Sequence, residues 1–145
     1  MKRHWSRPAR YNPFVPPRPE KWLAMDEDKR LRLAEDWHVN AGEVAPAAKL
    51  HATLHVIVEN QIALGDETPV RVVAERLMAE GLDRHEMIHA ISEALAHMIY
   101  GRPGGDGEEG KGVEAYYAAL RKLTRRNWLE GHGIDPDKHG RAPRK

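Results

Sequence analysis

The sequence predicts an all-α fold: a small up-down bundle of four helices, with a fifth, C-terminal helix beyond a glycine-rich linker. Three observations carry that expectation. Apolar residues recur every three or four positions through the middle of the chain, the spacing that lines one side of a helix. Each run is bracketed by helix punctuation, with Asp26, Pro46, Thr68-Pro69 and Asp83 at the starts and Gly42, Gly65, Gly81 and Gly101 at the ends. No segment reads as a strand.

The chain of 145 residues is long enough for one domain with tails. With 41% hydrophobic residues and a single Phe, its core is modest. It lacks the run of about 18 apolar residues that a membrane span needs. Pro and Arg follow the basic N-terminus where a signal peptide would be apolar, so no export signal is read. Cysteine is absent, which excludes disulfides, thiolate zinc sites and Cys nucleophiles and fits a cytoplasmic protein. Any metal must therefore be held by His, Asp, Glu or water. The net charge of +1 divides into +4 over residues 1–20, −7 over 21–112 and +4 over 113–145. An acidic middle between basic ends differs from a uniformly basic nucleic-acid binder.

Residues 1–21 read as a Pro-rich extended arm, because proline at this density blocks helix and central strand. Trp5, Tyr11, Phe14 and Val15 could tack it to the domain. The helical domain is expected over 22–101. Its first helix runs from Asp26 to Asn40, with Asp26 as N-cap, Glu27 and Asp28 in the first turn and Gly42 as the stop. His38 points inward there as a half-buried structural histidine, three residues after Glu35. The second helix runs from Pro46 to Leu64 on a face of Leu50, Leu54, Ile57, Gln61 and Leu64. The third runs from Pro69 to Glu80 and ends at Gly81. Asp83 caps the fourth, with Glu86 three residues on completing a capping box, and the helix continues to Tyr100. Residues 102–112 are a glycine-rich linker, 113–130 the C-terminal amphipathic helix, and 131–145 a polar tail.

Within this frame two helical segments repeat a pattern at a spacing of 34 residues: His51, His55 and Glu59, then His85, His89 and Glu93. Residues four apart share a side of a helix, so each row lines two imidazoles and a carboxylate beside an apolar stripe. In an up-down bundle the second and fourth helices run parallel, which would set His51 level with His85, His55 with His89, and Glu59 with Glu93. The ends of a row lie about 12 Å apart, too far for one ion, whereas adjacent members can share one. One set is then the four histidines, and another is His55, His89, Glu59 and Glu93; both together would make a dinuclear centre. The mixed nitrogen and oxygen donors suit a divalent transition metal, zinc or iron.

A different class of reading starts from His85-Glu86-Met87-Ile88-His89, which is literally H-E-x-x-H. In zinc metalloproteases the two His hold zinc and the Glu acts as general base, so under this alternative Glu86 is catalytic. A third ligand would come from Glu93, Glu108, Glu109 or Glu114. Against it, Glu86 is already explained as the capping residue, and Ala52 stands at the matching place in the other row. In a third class, the domain binds a partner and its histidines are structural. The Pro-rich arm and the basic C-terminal helix would then meet a protein or a second copy in a homo-oligomer. Nucleic acid is the weaker choice, since Arg121, Lys122, Arg125 and Arg126 also suit a solvated helix face.

The run from Leu50 through His51, His55 and Glu59-Asn60-Gln61-Ile62-Ala63-Leu64-Gly65-Asp66, followed by Arg76-Leu77-Met78, Gly81-Leu82-Asp83-Arg84-His85-Glu86 and His89-Ala90-Ile91, resembles a family of small bacterial proteins classed as a domain of unknown function. The resemblance spans about 26–100 and leaves the arm and the region after Gly101 outside. It implies a small helical cytoplasmic protein and brings with it no reaction, cofactor or catalytic residue.

Overall fold

The computed structural model describes residues 10–101 and 112–140. Trp5, Glu108, Glu109, the expected linker apart from Gly112, and the end of the tail lie outside them. Among the described residues every regular element is helical. The helices are α1 (Pro19–Ala24), α2 (Glu27–Asn40), α3 (Ala47–Ala63), α4 (Val70–Ala79), α5 (Arg84–Tyr100), α6 (Val113–Lys122) and α7 (Arg125–Gly131). None of them is long and apolar enough to cross a membrane.

The expected helices α2 to α5 are present, and two regions differ. The arm is not extended throughout: Pro19 opens α1, where a proline at the first turn loses no helical hydrogen bond. The helix expected across 113–130 is two. Leu123 is extended, and Thr124 starts α7 with a capping box in which its hydroxyl accepts from Asn127 N–H while the Asn127 side chain accepts from Thr124 N–H. The tail is also tied down, since buried Arg125 donates to the carbonyls of Pro136 and His139 at 3.1 and 3.0 Å.

Helix α3 is central, packing against α1, α2, α4 and α5. Its sides follow from a turn of 3.6 residues. Leu54 and Val58 face one core, with Val70, Val73, Leu77, Ile88, Ile91, Leu95, Tyr116 and Leu120. Ala52 and Val56 face a second core, with Tyr11, Trp22 and Ala34. His55 and Glu59 lie between these two faces and are equally buried. A single apolar stripe was expected on this helix. A helix covered on two sides needs two, and Leu50 and Leu64 from the expected stripe are exposed.

Two glycines shape the ends that matter. Gly81, at φ +116°, lets Leu82 N–H return to the Leu77 carbonyl and buries both leucines together. Gly42, at φ +101°, does the same for α2, so that Glu43 N–H reaches the His38 carbonyl. Glu43 is thereby turned back over the end of α2.

Contacts between α3 and α5 reverse the expected order. Glu59, late in α3, meets Arg84 at the start of α5, while His51 shares a cavity with Glu93. The two helices therefore run in opposite senses. Helix α4 has 10 residues against 17 in each neighbour, so it cannot carry the chain back along the full length of α3. Helix α5 consequently begins near the end where α3 stops.

Candidate metal centre

Five histidines from three helices converge between the two cores: His38 of α2, His51 and His55 of α3, and His85 and His89 of α5. The ring centroids of His55 lie 4.5 Å from His38 and 5.5 Å from both His85 and His89, and those of His85 and His89 are 4.3 Å apart. His55, His85 and His89 each offer a ligand atom, all within 4.8 Å of one another; so do His38, Glu43 and His51.

Neighbouring groups orient the rings. The Tyr11 hydroxyl donates to Glu59 Oε2 at 2.7 Å, which uses its only hydrogen. The 3.2 Å contact of Tyr11 Oη with His55 Nδ1 must then be donated by the imidazole. This leaves the lone pair on His55 Nε2, which is buried and has no hydrogen-bond partner. His38 is held similarly, since its Nδ1–H donates to the Ala34 carbonyl at 2.7 Å and its buried Nε2 has no partner. His85 Nε2 is buried without a partner too, its ring held edge-on by Phe14 and Trp37. A metal-binding histidine ordinarily donates its other ring N–H to a fixed acceptor in this way. His89 stands at the solvent side. It lines a cavity of about 150 Å³ with His51, Leu54, His55, Ser92, Glu93 and Ala96.

Burial, and after it the neighbouring imidazoles His38, His89, His85 and His51, push the His55 pKa down to about 2. Burial and then His89 push His85 down to about 4. Burial also lowers His89, with His51 next in effect. These rings are therefore neutral near pH 7 and their lone pairs available. A stability effect follows in the metal-free protein. As pH falls below 6.5, unfolded histidines take up protons that folded His55 refuses until about 2. The unfolded state then binds more protons, so stability falls with acidification. His55 alone accounts for about 2 kcal/mol of lost stability between pH 7 and pH 5, measurable by urea unfolding at each pH. A flat profile would contradict a buried neutral His55.

The two carboxylates of the expected rows lie elsewhere. Glu59 is buried at 1% exposure and paired with Arg84, whose Nη1 and Nη2 each donate to it at 2.7 Å. Burial works against the Arg84 cation, but bonding to Glu59 outweighs it and its pKa is raised. Arg84 also donates to the Pro13 carbonyl at 2.9 Å. Both Glu59 oxygens are thus engaged, and Glu59 acts on the cluster through Tyr11. Glu93 is exposed at the cavity rim and pairs with His132 at 2.7 Å. Glu86 accepts from Asp83 N–H at 2.9 Å through one oxygen and meets His139 Nε2 at 2.5 Å through the other. The structure thus brings together His55, His85 and His89 from the two rows. His51 sits against Glu43, and Glu59, Glu93 and Glu86 are engaged with other residues.

Tyr11, His38 and Glu43 were not among the expected site residues. His38 had a signal, its inward position on α2. Tyr11 lies 44 residues before His55 in an arm of weak local pattern, and Glu43 follows a glycine turn; neither carries a local sequence signal. Replacing Tyr11 with Phe will remove the acceptor of His55 Nδ1–H and a donor to Glu59. The expected loss is about 1–2 kcal/mol of stability and, for any metal that the cluster holds, roughly 10–100-fold in affinity. Urea unfolding and a competitive zinc titration measure the two, and wild-type values in both would remove Tyr11 from the site.

The fold and cluster define an all-helical protein whose histidine cluster is buried at His38 and His55 and open to solvent at His89. The sequence model of a family described as Domain of unknown function (DUF1841) matches residues 10–125, and the chain belongs to that family. The match is wider than the expected 26–100, taking in Tyr11 at one end and α6 at the other. No curated protein and no solved structure matches the chain.

Proposed function

We propose that this protein binds a divalent transition metal, zinc or iron, through His55, His85 and His89. The observation that carries the reading is the convergence of these three ligands with two buried, unpartnered Nε2 atoms among them. A buried polar atom left without a partner costs about 1–3 kcal/mol. Several in one place are a poor way to build a core, whereas a bound cation satisfies all of them.

Three protein nitrogens leave a fourth position open, the pattern of reactive rather than purely structural zinc centres. Two of the three, His55 and His89, line the 150 Å³ cavity beside Ser92 and Glu93, so a metal held there would be reachable from it. A cavity of that size admits water or a small molecule. We favour metal-bound water or small-molecule chemistry over peptide cleavage, because both oxygens of Glu86 are engaged by Asp83 and His139.

The test is metal analysis of protein purified without a histidine tag, after incubation with zinc or ferrous iron and desalting. At least one equivalent is expected in wild type, with a loss of about one equivalent in His89→Ala, a change at an exposed position. Less than about 0.2 equivalents of either metal in wild type would overturn the proposal.

A further inference from the structure

We propose that the centre is dinuclear, with a second divalent first-row cation held by His38, Glu43 and His51 beside the ion held by His55, His85 and His89. This rests on the metal reading above and extends it to α2 and the turn that follows it. One potential ligand atom from each of His38, Glu43 and His51 lies within 4.8 Å of the others. His38 is 1% exposed, and with Nδ1–H committed to the Ala34 carbonyl its Nε2 lone pair has no partner. Glu43 Oε2 is the carboxylate it faces, at 3.8 Å.

A surface pair of Glu43 with His51 would explain those two residues alone, because both are partly exposed. It leaves the buried His38 nitrogen unexplained, and a cation among the three accounts for it. Gly42 supplies the backbone conformation that brings Glu43 over His38. The two ligand sets adjoin through His38 and His55, whose rings meet edge to face at 4.5 Å. The first set is all imidazole, while the second has two imidazoles and a carboxylate, a harder donor set that accepts zinc, iron or manganese. Neighbouring ions can hold a water or a small substrate between them.

The experiment titrates tag-free, metal-free protein with cobalt(II), reading the visible absorption of bound ions and, after equilibrium dialysis, the cobalt content. Wild type is expected to bind about two equivalents, and the double variant Glu43→Gln with His51→Ala about one. Both substitutions are at partly exposed positions, and circular dichroism checks the fold. Should the variant not fold, the wild-type stoichiometry decides by itself. One equivalent in wild type, unchanged in the double variant, would overturn the second site and leave the three-histidine site standing. One equivalent in wild type and none in the variant would mean a single ion drawing on both sets, which also overturns it. No binding at all would remove both proposals.

Discussion

Arg84→Met will destabilise the protein by about 3–5 kcal/mol, because it leaves a carboxylate buried without its cation. Glu59 is 1% exposed, and after the substitution its remaining side-chain partner is the Tyr11 hydroxyl. The change also removes the donor that holds the Pro13 carbonyl, so the arm should loosen and residues near Pro13 become sensitive to protease. A double variant, Glu59→Met with Arg84→Met, should recover much of the loss, since paired removal leaves no buried charge uncompensated. Urea unfolding of wild type, both single variants and the double variant measures this. An Arg84→Met protein within about 1 kcal/mol of wild type would show that the pair is solvated in solution.

Removing metal is the second large expected effect. A ligand that binds only the folded state stabilises it by about 4 kcal/mol when present at a thousand times its Kd. For a chain of this size that amounts to a Tm shift of roughly 8–16 °C. Adding excess chelator to zinc-loaded protein should lower Tm by that amount, and the zinc-dependent shift should be clearly smaller in His89→Ala, which removes a ligand of the three-histidine set. Because histidines must be neutral to bind and burial holds folded His55 and His85 neutral down to about 2 and 4, the shift should outlast the ordinary histidine titration as pH falls. Loaded wild-type protein whose Tm ignores the chelator would separate the bound metal from the folded core and so from the buried histidines.

Much of the helical scaffold was legible because its signals are local. The capping box of Asp83 and Glu86 forms as its spacing predicts. Gly81 and Gly101 both lie at helix ends with positive φ. The split between α6 and α7 was missed. Tyr116, Leu120 and Leu123 followed by Trp128 read as one amphipathic stripe, and Thr124-Arg125-Arg126-Asn127 is a weaker capping signature with Asn in place of Glu or Gln. Arg125 shows the same limit. Its sequence position suggests a basic surface, yet its backbone N–H donates to Glu80 at 2.8 Å and its guanidinium holds the tail. It is not free to meet a phosphate.

The spacing of four residues determined, without any tertiary information, that His51 and His55 lie along one side of α3 and His85 and His89 along one side of α5. Backbone geometry imposes that relation on any helix. How the two rows meet was decided only by packing. Helix α4 is too short to make α3 and α5 parallel, so the rows oppose each other, Glu59 falls on Arg84, and His55 lands between His85 and His89. The long-range partners Tyr11 and His38 arrive from other elements, brought by burial of Trp22 and Ala34 against α3 rather than by any pattern within the histidine helices. A row of ligands is a property of one helix. A centre depends on the distances between three.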